Sequence, residues 1–393
     1  MSVGIRAAAL RAIAAASQTI NRLVLFRRTA QASHDAVLRL LRNLDDMPLS
    51  AAIASALHRL TYTDTSTEVG GARLSQRLIL AAGLVKGDGF ADEAEAMRAA
   101  AERGRNIMPG WRIVPALVGA VEFGSFTRHP RLGNPGTVVW RKAASLSTQN
   151  RVGLRNPGAR AAACFLGDRR SQLPNEYGIN IAVSPGLENV EEQTRDVVEA
   201  LSFFLVAGVN PTWFTLNLSC PNTEDDPQGL QLEAETRQIC GAIVERLRSE
   251  QREIPLWIKL SPGLATQQYA KLLRVSNEVG VRAIVATNTS PRSSPNDLDL
   301  QAGIGGGELY SEALHAVRQL QVERQRGDYA VDVIACGGIL DGSSLRTYEQ
   351  LGVRAAQYWS ALVFRGPFAA AIIESELAEH ENKVATVNSE SFA

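Results

Sequence analysis

Short runs of β-branched and aromatic residues alternate with helical stretches along most of the chain, and this alternation restricts the fold more than any other feature. It is typical of a parallel sheet whose strands are joined by helices. There are eight such runs, which is the number of strands in a (β/α)8 barrel. We predict strands at residues 78–82, 116–123, 178–183, 213–218, 256–260, 283–287, 333–336 and 355–359.

The main alternative is a doubly wound open sheet, which has the same alternation of strands and helices. An open sheet that binds a dinucleotide prefers a G-x-G-x-x-G turn after its first strand, and no such turn follows residues 78–82. Asn189 with Glu192 resembles a capping box, which predicts a helix directly after the third strand. The fold class predicted here is therefore α/β, a (β/α)8 TIM barrel.

Residues 1–66 form a separate element in which only helices are predicted. The first 34 residues contain five arginines and no acidic residue, and their apolar residues recur at helical spacing. The longest uncharged run, 12–21, is too short and too polar to cross a bilayer. Three interpretations stay open: a helix on a membrane surface, a packing helix and an organelle-targeting peptide. We divide the chain into an N-terminal helical extension, 1–66, and a barrel, 67–393.

Composition argues against two other classes of protein. The formal net charge is +0, so there is no overall positive field of the kind that draws a protein to nucleic acid. The four cysteines are widely spaced, without the C-x-x-C pairs of a zinc site or the density of a disulfide framework. We expect reduced thiols, no metal and no nucleic-acid partner.

Polar residues cluster where the predicted strands end, which is where a barrel carries its chemistry. The clearest cluster is Asn-Leu-Ser-Cys-Pro-Asn-Thr at 217–223, although an Asx turn with a structural cysteine would also account for it. Lys259 ends an apolar strand, where an ammonium needs an anionic partner or must extend to solvent. Gly337 and Gly338 follow the seventh strand and Ser360 follows the eighth, a typical corner for binding phosphate.

These clusters resemble the motifs of the dihydroorotate dehydrogenase family, in the same order and over nearly the whole chain. The matching positions are Ala81, Ala82 and Gly83; Lys86; Gly124 and Ser125; Gly133, Asn134 and Pro135; Asn150; Gly153; Asn180; residues 217–223; Lys259; Thr287, Asn288 and Thr289; Gly306; Gly337 and Gly338; and Ser360. The resemblance implies FMN-dependent oxidation of dihydroorotate to orotate in de novo pyrimidine (UMP) biosynthesis.

The resemblance also implies the role of each matching residue. Cys220 occupies the position of the catalytic base. The residues implied to bind orotate are Lys86, Asn150, Asn217, Asn222, Asn288 and Thr289. Those implied to hold FMN are Ala82, Gly83, Ser125, Asn180, Lys259, Thr287, Gly306, Gly337, Gly338, Trp359 and Ser360.

The sequence combines features of two classes of this family. A cysteine base is similar to the soluble class 1 enzymes, whereas the membrane-bound class 2 enzymes usually present serine. The N-terminal helices, together with His34 and Arg141, resemble class 2, where the matching residues flank a quinone tunnel. We therefore expect a quinone as electron acceptor and residues 1–66 as a membrane- and quinone-associated element. The expected location is peripheral, on the cytoplasmic face of the inner membrane, or cytoplasmic if the acceptor is soluble.

Other functions remain open at this point. The same barrel and flavin could serve fumarate or NAD as acceptor, or another dihydropyrimidine as substrate. A dihydrouridine synthase is a further flavin barrel with a catalytic cysteine, but the neutral net charge argues against it. An inactive flavin-binding membrane scaffold would have no need to keep Lys86, Cys220 and four substrate-facing asparagines together.

Overall fold

The structure is a computed structural model that describes residues 3–218 and 230–390. The strands are β1 (Thr67–Val69), β2 (Ala72–Leu74), β3 (Leu78–Leu80), β4 (Val121–Phe126), β5 (Val139–Lys142), β6 (Ser147–Asn150), β7 (Tyr177–Ala182), β8 (Trp213–Asn217), β9 (Leu256–Leu260), β10 (Ala283–Ala286), β11 (Ser290–Ser294), β12 (Asp297–Gly306), β13 (Asp332–Cys336) and β14 (Ala356–Tyr358). The helices are α1 (Val3–Ile20), α2 (Ala30–Asp46), α3 (Ser50–Thr61), α4 (Glu93–Ala101), α5 (Ile113–Val118), α6 (Ala159–Gly167), α7 (Val190–Val206), α8 (Leu230–Ser249), α9 (Thr266–Val279), α10 (Tyr310–Gly327), α11 (Gly342–Gln350), α12 (Ser360–Arg365) and α13 (Ala369–Glu390).

Eight parallel strands close into a barrel in the order β10-β13-β14-β3-β4-β7-β8-β9. Helices between successive strands cover the outside, so the predicted (β/α)8 fold is confirmed. The predicted helix is present as α7, and the Asn189 side chain caps it by accepting a hydrogen bond from the backbone N–H of Glu191, not from Glu192 of the expected capping box. The closed barrel places the ends of strands that lie far apart in sequence around one opening.

One predicted strand is wrong at its beginning. The strand expected at 116–123 starts only at Val121, and residues 116–118 belong to helix α5. Gly119 ends that helix with a φ of 85°, a conformation that favours glycine. A short apolar run does not by itself distinguish a buried strand from a buried helix, which explains the error.

Two stacked tryptophans fill the barrel at the end opposite its opening. The rings of Trp213 and Trp257 lie 4.6 Å apart with an angle of 18° between their planes. The hairpin β1–β2 packs against them, and Trp257 Nε1 donates a hydrogen bond to the Gly70 carbonyl at 2.9 Å. A side chain at Gly70 would collide with Trp257, because a Cβ there would lie 2.5 Å from Nε1. The hairpin therefore covers this end of the barrel.

A buried carboxylate, Asp45 of α2, is one of the groups that attach the N-terminal helices to the barrel. Its Oδ2 accepts hydrogen bonds from Asn106 Nδ2 at 2.9 Å and from the Gly110 N–H at 2.6 Å. Its Oδ1 accepts from the backbone N–H groups of Ile113 at 2.9 Å and Arg112 at 3.2 Å. Burial raises the pKa of Asp45, and these hydrogen bonds oppose that shift. The carboxylate thus caps the start of α5 and fixes α2 against the barrel.

A small antiparallel sheet, β11-β12-β6-β5, stands beside the barrel opening. In it Gly303 of β12 pairs with Asn150 of β6, and Gly305 pairs with Thr148. This sheet carries Asn150 and Arg141 towards the N-terminal helices. The proposed domain boundary between residues 66 and 67 falls between α3 and β1, and it stays a prediction. None of the described helices has both the length and the apolar content needed to cross a bilayer.

Candidate active site

One cavity of about 1260 Å³ extends from the barrel opening to the N-terminal helices. Its lining includes, from the predicted set, His34, Ala82, Gly83, Lys86, Ser125, Arg141, Asn150, Asn217, Lys259, Thr287, Asn288, Thr289, Gly306, Gly337, Gly338, Trp359 and Ser360. Asn180 lies inside the barrel and is fully buried. Cys220 and Asn222 lie outside the described residues, as do Thr223 and the acidic positions 224–226.

A hydrogen-bonded group of four polar side chains lies inside the barrel at the polar end of this cavity. Lys259 Nζ donates to Gln357 Oε1 at 2.8 Å, and Gln357 Nε2 donates to Glu122 Oε2 at 2.6 Å. The other oxygen of Glu122, Oε1, accepts from Asn180 Nδ2. Sequence reasoning missed Glu122 and Gln357. A signal for Glu122 was present, because it is the one charged residue within the apolar strand β4.

Two of the predicted substrate asparagines, Asn217 and Asn288, meet at the ends of β8 and β10. Asn288 Nδ2 donates to Asn217 Oδ1 at 2.9 Å, and the Asn288 Oδ1 atom accepts from the Thr289 N–H at 3.0 Å. Asn217 Nδ2 lies 3.5 Å from Ser125 Oγ, at the limit of a hydrogen bond. These amides fix one another's orientation. Their arrangement suits a planar ligand that bears both amide and carbonyl groups.

Lys86 supplies a positive charge on the same wall of the cavity. Burial, together with the nearby charge of Arg155, lowers the pKa of Lys86 to about 8. An amine with this pKa holds its proton more strongly when an anion lies beside it. Lys86 is therefore suited to bind a carboxylate.

Glycine-containing turns after β12 and β13 form the rim next to Lys259. Gly306, Gly337 and Gly338 all have positive φ angles, 87°, 140° and 68°. The hydroxyl of Ser360 lies 2.7 Å from the hydroxyl of Thr148 on β6. This rim offers backbone N–H groups and hydroxyls to a phosphate.

Gly83, which follows the strand β3 next to β14, has a φ of 128°, and a Cβ there would lie 3.0 Å from the indole nitrogen of Trp359. The close approach of Gly83 to this indole explains why a glycine is required at the position.

The opposite end of the cavity is apolar and is formed by α1, α2 and the segment between them. Its lining there includes Ile13, Val24, Val37, Leu40 and Leu41. His34 lies among these residues, and burial lowers the pKa of His34 to about 4, with the charge of Lys86 contributing in the same direction. At neutral pH the imidazole is therefore uncharged.

Arg141 is held by backbone carbonyls of the turn between α1 and α2. Its Nη2 donates to the Arg28 carbonyl at 2.6 Å and to the Leu25 carbonyl at 3.2 Å. Its guanidinium also lies over the Phe26 ring, 4.6 Å from the ring centre. Besides lining the cavity, Arg141 thus fastens this turn to β5, a contact that the sequence did not reveal.

The comparisons with known proteins agree with this geometry. The family model described as "Dihydroorotate dehydrogenase" matches residues 112–380. A relative named dihydroorotate dehydrogenase (quinone) from Chromobacterium violaceum is 27% identical over 357 residues, covering 88% of this chain and 93% of the relative. A relative of the same name from Salinispora arenicola is 29% identical over 342 residues, covering 86% of this chain and 91% of the relative.

Solved structures show the same fold. The crystal structure of DHODH from Eimeria tenella in complex with ferulenol has a TM-score of 0.67 at 21% sequence identity, covering 90% of this chain and 92% of that chain. The ligand-free structure of the Eimeria protein has a TM-score of 0.68, covering 90% of this chain and 96% of that chain.

The barrel and its polar opening define an oxidoreductase of a flavin-dependent class. The chain belongs to the dihydroorotate dehydrogenase family.

Proposed function

We propose that this protein oxidises (S)-dihydroorotate to orotate with FMN as its flavin and passes the electrons to a quinone. The observation that carries the proposal is the single cavity that joins the polar barrel opening to the apolar N-terminal helices. The relatives named dihydroorotate dehydrogenase (quinone) support the choice of acceptor.

The barrel end of the cavity fits FMN by the chemistry of its donors. Lys259 offers an ammonium, Asn180 offers a buried oxygen, Oδ1, that has no hydrogen-bond partner among the described residues, and Gly337, Gly338 and Ser360 offer donors suited to a phosphate. The other residues proposed to hold FMN are Ala82, Gly83, Ser125, Thr287, Gly306 and Trp359. When bound, FMN would supply a hydride acceptor whose electrons can then pass to a quinone.

The residues proposed for the substrate act by charge and by amide orientation. Lys86 pairs with the carboxylate of dihydroorotate, while Asn217 and Asn288 read the ring amides. The other members of the proposed substrate set are Asn150, Asn222 and Thr289. Cys220 is proposed as the base that removes the proton from carbon five as the hydride leaves carbon six.

The apolar end of the cavity is the proposed quinone site. Aliphatic side chains of α1 and α2 exclude water there, and a neutral His34 avoids adding another positive charge to those of Lys86 and Arg155. Arg141 keeps the turn between α1 and α2 closed over this end.

The outer surface of the N-terminal helices, which include α3, is proposed to lie on a membrane. Large apolar side chains are exposed there, with Leu49 74% and Ile53 61% exposed on and beside α3. Such residues bind the interface of a bilayer, and nearby arginines favour anionic lipids. We expect sedimentation with vesicles that contain anionic lipid, and weaker sedimentation after Leu49→Glu with Ile53→Glu. Equal sedimentation of both proteins would contradict the membrane proposal.

The activity is tested by reducing the bound flavin anaerobically with dihydroorotate and then adding one acceptor at a time. We expect rapid bleaching at the first step, and rapid reoxidation by a ubiquinone analogue but not by fumarate or NAD. Reoxidation by fumarate or NAD alone would overturn the proposed acceptor. Failure of dihydroorotate to bleach the flavin would overturn the substrate.

A further inference from the structure

Glu122 is a carboxylate with 0% exposure in the interior of the barrel. Placing a carboxylate there is unfavourable unless donors meet both of its oxygens. Both are met: Oε1 accepts from Asn180 Nδ2 and Oε2 from Gln357 Nε2. Since both partners are neutral, no direct ion pair to Glu122 is present among the described residues. Glu122 has no direct role in the proposed reaction.

The two amides that Glu122 binds are both oriented by it. Each presents its NH2 group to the carboxylate, so its carbonyl oxygen must point elsewhere. The oxygen of Gln357 accepts from Lys259 Nζ at 2.8 Å. The oxygen of Asn180 is buried and has no partner in the described part of the chain. A carboxylate only accepts hydrogen bonds, so each amide turns its NH2 group towards Glu122. If the Gln357 amide were rotated by 180°, its NH2 group would face the ammonium of Lys259 and repel it.

We propose that Glu122 is the positioning residue of the flavin site. By accepting from both amides, it turns the Gln357 oxygen towards Lys259, which holds the ammonium in place, and leaves the Asn180 oxygen free as an acceptor. Glu122 touches neither substrate nor cofactor and acts through these two side chains. The proposal rests on the proposed function, which assigns Lys259 and Asn180 to FMN.

Glu122→Gln tests the orientation directly. A glutamine has one accepting oxygen and one NH2 group, so it cannot accept from both neighbours and one hydrogen bond is lost. We expect the dissociation constant of FMN, measured by fluorescence of FMN released from the holoenzyme, to rise by about tenfold or more. Glu374→Gln is the matched control, because Glu374 is also buried (8% exposed) but binds Arg77 away from the cavity. We expect FMN affinity to be unchanged in that variant.

A double-mutant cycle with Lys259→Met separates positioning from general structural damage. If Glu122 acts through Lys259, the Glu122→Gln change should weaken FMN binding much less in the Lys259→Met protein than in the wild type. Equal weakening in both proteins would overturn the proposal.

Gln357→Leu gives an independent readout, because it removes the link between Glu122 and Lys259 without changing any charge. A positive charge close to a flavin favours its reduction, so we expect a more negative midpoint potential once the ammonium is no longer held. Gln321→Leu, at a buried position on α10, is the control and should leave the potential unchanged. An unchanged potential in Gln357→Leu would also overturn the proposal. A wild-type protein that binds no FMN would refute the proposed function itself. If the wild type binds FMN but the losses of affinity from Glu122→Gln and Lys259→Met simply add, only the positioning role of Glu122 is refuted.

Discussion

The two ends of the cavity hold their ligands by different physical means. At the barrel end, Lys86 supplies a charge, and Lys259 and the amides of Asn217 and Asn288 are held by hydrogen bonds. At the helical end the lining is aliphatic, and His34 is uncharged at neutral pH. The first end selects by charge and hydrogen bonding, and the second selects by shape and by exclusion of water. One cavity can therefore serve a polar reductant and an apolar oxidant.

The largest expected effect is at the barrel end, with Cys220→Ala. Removing a general base typically slows the chemical step by about 10²- to 10⁴-fold. We expect a loss of this size in the rate of flavin reduction by dihydroorotate, measured by stopped-flow absorbance, with unchanged reoxidation by a quinone.

Cys220→Ser should move the rise of this rate to higher pH, because an alcohol holds its proton more tightly than a thiol, whose ordinary pKa is about 8.5. Cys164→Ser, at a half-buried cysteine in α6, serves as the control. An unchanged pH profile in the Cys220→Ser protein would show that Cys220 does not titrate in the reaction.

The second effect is the loss of Lys86. Lys86→Met removes a charge-assisted hydrogen bond, so we expect orotate to bind about 10- to 100-fold more weakly, followed by the change in flavin absorbance. The pKa of Lys86 is lowered to about 8, so its positive charge is present below that pH and is lost above it. Orotate affinity of the wild type should therefore fall as the pH rises through about 8.

Two observations would count against this role of Lys86. One is orotate affinity that stays constant from pH 7 to pH 9.5 in the wild type. The other is an equal loss in Lys142→Met, the control on β5, where Lys142 pairs with Glu308 outside the cavity.

A smaller effect is expected at the helical end, with Val37→Trp. The larger ring narrows the apolar part of the cavity, and we expect the KM for a ubiquinone analogue to rise by about tenfold, which corresponds to roughly 1.4 kcal/mol. Flavin reduction by dihydroorotate should keep its rate. Val322→Trp, at an exposed position on α10, is the control. If Val37→Trp slowed flavin reduction instead, the two ends would not be functionally separate.

An effect of similar size concerns His34 and stability in acid. Its folded-state pKa, about 4, lies below its ordinary value of 6.5, so the unfolded chain binds the proton more readily. Stability is therefore lost as the pH falls below about 6.5. We expect His34→Gln to retain about 1 to 2 kcal/mol more of its own neutral-pH stability at pH 4.5 than the wild type does, by urea unfolding. The same acid loss in both proteins would remove His34 as its source. His380→Gln, at an exposed histidine, is the control.

The sequence predicted the barrel because its signal is periodic and local, and it predicted part of the polar lining because barrel chemistry follows strand ends. Lys259 and Asn288 were found in this way. Glu122 and Gln357 were missed because they lie within strands, where a polar residue matters only through partners on other strands. The contacts of Arg141 depend on how the turn between α1 and α2 folds back, and no local pattern records that. The start of β4 was wrong because an apolar run does not reveal its conformation.

The covered end of the barrel has a consequence for solvent exchange. Trp213, Trp257 and the hairpin β1–β2 close that end, so within the described parts of the chain water approaches Glu122 from the cavity side. A ligand that fills the cavity would block this route for water. The backbone amides of β13 and β14 should then take up deuterium more slowly when a ligand fills the cavity, without any movement of either strand.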